Sequence, residues 1–245
     1  MTTTAYGSYT GSPQVLSFDG LLFDFDGTII DSTDAIVKHW HELAKDLGVD
    51  PEVILASSHG RRSIDTLALY DKSKANMEFV NQIEGAIPQK YGQDAVEIPG
   101  ARDLVKKLVD SNAPWAVVTS GTRALVEGWL EVLRLAHPKY LVVAEDVEQG
   151  KPNPQCYLLG RQKLSNDMGF PADSTNMLVI EDAPSGIRAG KAAGFKVLAL
   201  QTTHAIQQLT DAGADWIVKD LKSVDFKSWT QGEKVEIEVR DTLQA

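Results

Sequence analysis

The stretch Leu21-Leu22-Phe23-Asp24-Phe25-Asp26-Gly27-Thr28 constrains this chain more than any other. An apolar run ends in two aspartates one residue apart, followed by Gly-Thr. Alternate residues of a strand share a side, so Asp24 and Asp26 reach one spot together only if the chain turns there. Gly27 permits that turn. A carboxylate pair at a strand end suits a divalent cation and a nucleophile together. The same residues also suit a buried strand closed by an Asp-Gly hairpin turn. The rest of the chain has to decide between them.

A chain of 245 residues is long for one domain and short for two, which fits a single core carrying an inserted subdomain. The net charge of −10 and the lack of any Lys/Arg cluster argue against a nucleic-acid binder. A small phosphorylated substrate needs only a few local cations and stays allowed. Cys156 is the only cysteine, so no intramolecular disulfide forms, which suits a reducing compartment. No apolar run is long enough to span a bilayer, and Met1 to Pro13 has neither the basic start nor the apolar centre of a signal peptide. These features predict a cytosolic protein with no membrane or nucleic-acid partner, read here as a monomer.

Residues 1–14 read as a flexible tail. Leu21 to Phe25 reads as a short buried strand. From Ser32 to Tyr91 the apolar residues keep a helical period: Ile36, Trp40, Leu43 and Leu47 before Gly48, then a helix opened by Asp50-Pro51, then Ile64 and Leu67, then Met77, Val80, Ile83 and Ile87. Between them lies a polar break, Ser57-Ser58-His59-Gly60-Arg61-Arg62-Ser63. Pro99-Gly100 marks a boundary. Beyond it, strands at 115–118, 141–144, 177–180, 197–200 and 216–218 alternate with helical segments, and residues 234–239 alternate like an edge strand. The expected fold is α/β, a Rossmann-like, mostly parallel sheet covered on both faces. Residues 15–31 and 100–245 form its core, and a helical cap, residues 32–99, is inserted directly after the two aspartates. An insert there can act as a lid.

Ligands of open parallel sheets bind beyond the carboxyl ends of the strands. The polar residues that end the predicted strands are Asp24 with Asp26, Thr119 with Ser120, and Glu181 with Asp182; Lys151 sits in the Gly-Lys-Pro-Asn-Pro loop before the last pair. Two carboxylate pairs, a hydroxyl pair and a cation are what phosphoryl transfer to an aspartate requires. One carboxylate attacks phosphorus, magnesium held by oxygen ligands neutralises charge, and a hydroxyl, backbone N–H groups and a lysine hold the other phosphate oxygens.

On these four segments, in this order, the chain resembles the haloacid dehalogenase superfamily of phosphatases, over nearly all of its length after the tail. The resemblance implies that Asp24 is the nucleophile and a magnesium ligand. Asp26 becomes the general acid and base, its backbone carbonyl touching the metal. Thr119, with Ser120 and Gly121, holds phosphate; Lys151 holds phosphate and pairs with Asp24; Asp182 and Glu181 bind the metal. Chemically, an attacking Asp24 has to be anionic, which adjacent cations favour, whereas Asp26 has to carry a proton at times. Ser58-His59-Gly60-Arg61-Arg62 and Val80-Asn81-Gln82-Ile83-Glu84-Gly85 resemble fungal glycerol-3-phosphatases, and the Ser-His-Gly-x-Arg segment is shared with 2-deoxyglucose-6-phosphatases. The implied activity is magnesium-dependent hydrolysis of a small polyol or sugar phosphate, with glycerol phosphate first and a superfamily phosphomutase as the further alternative. His59, Gly60 and Arg62 are the expected substrate loop, with Arg62 reaching phosphate, a substrate hydroxyl or a core carboxylate. Arg61 is expected to be solvated, and His39 and His204 to be structural or exposed.

Overall fold

A computed structural model describes residues 7–244. The chain runs β1 (Ser8–Tyr9), β2 (Gln14–Phe18), β3 (Gly20–Phe23) and β4 (Ile30–Asp31), then α1 (Thr33–Leu47), α2 (Pro51–Ser58), α3 (Ser63–Tyr70) and α4 (Met77–Tyr91). There follow β5 (Val96–Glu97), α5 (Ala101–Asp110), β6 (Trp115–Val118), α6 (Arg123–Leu133), β7 (Leu141–Val142), α7 (Gln155–Met168), β8 (Met177–Glu181), α8 (Pro184–Ala192), β9 (Lys196–Leu200), α9 (Ile206–Asp211) and β10 (Trp216–Val218). The chain closes with β11 (Val224–Ser228), β12 (Val235–Val239) and β13 (Leu243–Gln244).

Six parallel strands form the central sheet in the order β10-β9-β8-β3-β6-β7. Continuous apolar strands predict a sheet buried on both faces, and the packing follows the pleat. Leu21, Phe23, Val117, Leu178 and Ile180 enter one apolar core, with α5 and α6 residues such as Leu104, Leu108 and Trp129. Leu22, Ala116, Val118, Met177 and Val179 enter the other, with Tyr157, Leu164 and Ile187. Because β3 lies between β6 and β8, the residues that follow these three strands meet at one end of the sheet.

The helices α1 to α4 have a small apolar core of their own, built on Trp40, Leu43, Ile54, Leu67 and Val80. Asp50 caps α2 by accepting from the Glu52 N–H, and Asn76 caps α4 by accepting from the Phe79 N–H. The two-residue strands β4 and β5 pair antiparallel, so the chain enters and leaves this helical stretch through one short ribbon. Helix α4 also lies close against α6: a Cβ on Gly128 would stand 2.8 Å from Pro88 Cγ.

Three expectations need correction. Residues 234–239 do not end a sheet: β12 is the middle strand of a three-stranded antiparallel sheet, between β11 and β2. Alternation reports half-burial, not the number of neighbours a strand has. The expected tail over 1–14 does not hold across its length, since Ser8–Tyr9 pairs with Leu243–Gln244 and Gln14 opens β2. Residues 1–6 lie outside the described residues. The strand expected over 141–144 stops at Val142 and passes into a short 3-10 turn, Ala144–Asp146. No described helix is long and apolar enough to cross a membrane.

Candidate active site

The Asp24 backbone N–H still joins the sheet, donating to Ile180 O at 2.9 Å. Beyond it the chain coils tightly, with Ile29 and Ile30 N–H groups both donating to Phe25 O. Gly27 has φ +85°, and a Cβ there would stand 2.2 Å from Asp182 Oδ2. Only glycine lets this turn and the end of β8 approach so closely. Asp24 and Asp26 thereby line one cavity of about 70 Å³, together with Thr119, Ser120, Gly121, His59 and Gly60. A wider surface groove of about 670 Å³, beside residues such as Asp146, Asn153 and Arg161, contains none of the strand-end residues.

The two aspartates have different partners. Lys151 Nζ lies 2.5 Å from Asp24 Oδ1 and 2.7 Å from Glu181 Oε1, and donates to Val118 O at 3.2 Å. All three of its N–H directions are thus directed at these oxygens, leaving none aimed at a phosphate in this conformation. Burial works against the Lys151 ammonium, but the charges of Asp24 and Glu181 outweigh it and hold its pKa well above the ordinary value. Burial pushes the Asp24 carboxyl well up; Lys151 opposes that, while Glu181 and Asp182 add to it. Asp26, by contrast, accepts from a neutral hydroxyl, Ser32 Oγ at 2.6 Å. Ser32 stands at the N-cap position of α1 yet its side chain does not cap the helix. Burial raises the Asp26 carboxyl, against the Ser32 hydrogen bond.

Beneath the pair, Glu181 Oε2 accepts from the Asp182 and Ala183 N–H groups, both at 2.8 Å, and Oε1 also accepts from Tyr157 OH at 3.0 Å. Four donors saturate its carboxylate. Asp182 accepts from Thr203 Oγ1 and lies 3.4 Å from His59 Nε2. Burial tends to raise the Asp182 carboxyl, but His59 and Thr203 turn the net shift downward. Ligating oxygens of Asp24, Glu181 and Asp182 lie within 4.8 Å of one another. With the Glu181 lone pairs already taken, Asp24 and Asp182 supply the free oxygens, and the surplus negative charge of three buried carboxylates against one lysine fits a divalent cation such as magnesium. His59, Asp182 and His204 form a second group on the same scale.

Of the expected substrate loop, His59 and Gly60 reach the cavity and Arg62 does not. Gly60 has φ +72°, and a Cβ there would stand 2.6 Å from Ser185 Oγ. Its carbonyl accepts from Ser120 Oγ and Ser185 Oγ, both at 3.1 Å, which docks the loop on the core. Arg62 is buried and fully engaged. It makes a fork with Asp65, with both distances 2.8 Å, and donates to the carbonyls of Ala144, Val147 and Glu148. It clasps the 144–148 turn instead of reaching phosphate, a substrate hydroxyl or a core carboxylate. Its exposed neighbour Arg61 lines the cavity. Arg62 thus departs from the sequence reading, whereas Arg61 is exposed as expected and also stands on the cavity. That reading also missed Glu84 and His39, which line the cavity, and His204, whose ring packs edge-on against His59. For these the available signal was weak: Glu84 and His39 are polar residues at partly inward helical positions and His204 lies in the loop before α9, with nothing to say which element they would face.

The haloacid dehalogenase-like hydrolase family model matches residues 21–200. Over 244 residues the chain is 40% identical to glycerol-1-phosphate phosphohydrolase 1 of Saccharomyces cerevisiae, covering 96% of each chain. Over 221 residues it is 35% identical to 2-deoxyglucose-6-phosphate phosphatase 1 of the same yeast, covering 85% of this chain and 90% of that one. In fold it is similar to the crystal structure of a hydrolase from Pseudomonas syringae, with a TM-score of 0.69 at 24% identity, covering 82% of this chain and 94% of that one. This chain belongs to the haloacid dehalogenase-like hydrolase family.

Proposed function

We propose that the protein is a magnesium-dependent phosphoric monoester hydrolase whose substrate is a small phosphorylated polyol, with glycerol phosphate first and hexose phosphates second. The observation that carries this reading is the unequal environment of the two cavity aspartates. Asp24 is held at 2.5 Å by an ammonium, and Asp26 at 2.6 Å by a neutral hydroxyl. A carboxylate beside a fixed cation suits nucleophilic attack, and one without such a cation suits proton transfer. Similarity to a yeast glycerol-1-phosphate phosphohydrolase and a small cavity of about 70 Å³ support a short substrate.

In this reading an Asp24 carboxylate oxygen attacks phosphorus and forms an aspartyl-phosphate, while Asp26 protonates the departing alkoxide. Asp26, now a carboxylate, then takes a proton from the water that attacks phosphorus, releasing phosphate and restoring Asp24. Thr119, Ser120 and Gly121 hold phosphate oxygens, and Lys151 fixes Asp24. Asp24 and Asp182 would hold the metal, with the Asp26 carbonyl and Glu181 beside them. When bound, magnesium supplies positive charge to the phosphate oxygens.

The test is phosphate release from a panel of polyol and sugar phosphates. Wild type is expected to prefer glycerol phosphate, and Asp24→Asn to lose about 10⁴-fold in turnover. Undiminished turnover in that variant would refute the nucleophile, activity in excess chelator would refute the metal, and preference for a hexose phosphate would replace the first substrate by the second.

A further inference from the structure

The cap side of the cavity holds a buried carboxylate to which the mechanism above gives no task. Glu84, on α4, is 4% exposed and lines the cavity. Its Oε1 accepts from Ser63 Oγ at 2.5 Å, and its Oε2 accepts from the Thr122 N–H at 2.7 Å. An ionised carboxylate has about four acceptor positions; the Thr122 hydroxyl also bonds to it, and part of its acceptor capacity stays open. All of these donors are neutral, and no cation pairs with Glu84 among the described residues. A buried acid held only by neutral donors is costly to keep, and burial raises its pKa to about 7. His39 adds a second polar group to the same wall. Burial lowers its pKa to about 4, so it is neutral, and its Nε2 is covered without a hydrogen-bond partner. Such orphaned groups call for an explanation. Among the described residues the other cap groups on the cavity that can carry charge are Arg61, on the exposed side, and His59, which lies 3.4 Å from Asp182.

A substrate whose phosphate lies at Asp24 has only a short space for its remaining atoms. We propose that Glu84 is the specificity-determining residue for the unphosphorylated end of the substrate: its spare lone pairs accept hydrogen bonds from the hydroxyls of a short polyol, and its charge rejects a second carboxylate or phosphate. This rests on the phosphatase reading.

The discriminating variant is Glu84→Gln, assayed on glycerol 1-phosphate, on n-propyl phosphate, which has the same length without hydroxyls, and on 3-phosphoglycerate, with inorganic phosphate as inhibitor. Glutamine keeps the shape and one carbonyl acceptor. The KM for glycerol 1-phosphate is expected to rise about ten- to hundredfold, with kcat little changed. The kcat/KM for n-propyl phosphate and the inhibition by phosphate should stay within about twofold, and 3-phosphoglycerate should improve. Equal losses on glycerol and propyl phosphates, or an unchanged KM for glycerol 1-phosphate, would overturn the assignment. If Glu84→Gln does not fold, Glu84→Asp retains the charge at a shorter reach and is expected to show the same split between the two esters; an equal effect on both would overturn the assignment. Wild type that released phosphate from none of these esters would overturn the phosphatase reading itself. Wild type active on them, with equal losses in the variant, would overturn only the role of Glu84.

Discussion

The floor and the roof of the cavity are built from different kinds of contact. The floor consists of charged groups and a hydroxyl fastened to adjacent parallel strands: Asp24 after β3, Thr119 after β6, Glu181 at the end of β8, with Lys151 bound between two carboxylates. Its geometry follows from the sheet, and each side chain already has its partner. The roof consists of helix and loop residues (His59, Arg61 and Glu84) whose positions depend on how α1 to α4 sit on α6. There the partners of Glu84 and Gly60 are neutral hydroxyls and backbone groups, and His59 alone of the three turns to a carboxylate, Asp182. On the proposed reading, the floor carries out chemistry common to many phosphate esters, and the roof distinguishes one ester from another.

Breaking the floor should produce the largest effect. Lys151→Met leaves Asp24 and Glu181 as unpaired buried carboxylates, and losing one partner of a buried ion pair costs about 3–5 kcal/mol. Urea unfolding in the presence of chelator is expected to show this loss, and a change under about 1 kcal/mol would mean that the floor does not depend on the lysine charge. The roof should show a pH effect of similar size. Glu84 titrates near 4.5 in the unfolded chain and at about 7 in the folded one. Below 4.5 both states hold the proton. Between 4.5 and 7 only the unfolded chain releases it, so stability falls as pH rises through that window and levels off above it. The difference corresponds to about 3 kcal/mol. Measured against Glu84→Gln, wild type should lose that much between pH 4.5 and 8, and parallel stability curves for the two proteins would contradict the raised pKa.

The two arginines give the sharper and smaller contrast. Arg62→Lys gives up the fork to Asp65 and part of the clasp on the 144–148 carbonyls, and should cost about 1–2 kcal/mol in chemical denaturation. Arg61→Ala should change stability by no more than about 0.5 kcal/mol, and should raise the KM of the preferred ester a few-fold. If Arg61→Ala unfolded the protein and Arg62→Lys changed only KM, the contrast between clasp and cavity residue would be reversed.

The adjacency of these two residues shows why the roof was hard to read. Arg61 and Arg62 are chemically identical and both precede α3, so no period distinguishes them. The backbone at the N-cap of α3, φ −71° and ψ 140° at Arg62, lies in the path that carries one side chain into the 144–148 turn and leaves its neighbour on the cavity side. Glu84 was equally hidden, because helical spacing places it on α4 without saying that α4 meets the N-terminus of α6. The floor was legible for the opposite reason: in a parallel sheet, strand order along the chain and the polar residue after each strand already specify which groups meet at one end. The misassigned strand β12 and the paired residues Ser8–Tyr9 were hard to read for the same reason as the roof, since β2 beside β12 and the partners of Ser8–Tyr9 come from the far end of the chain.

The amino-acid sequence by itself determined the α/β class, the strand ends that carry Asp24, Thr119 and Glu181, and the turn at Gly27, because each depends on local pattern and on the connectivity of a parallel sheet. Only the tertiary structure decided which arginine faces the cavity, which buried acid stands opposite the aspartates, and how little room lies between them. Those properties depend on the seating of one helical stretch against another, where a few ångströms and the direction of single Cα–Cβ bonds determine the outcome.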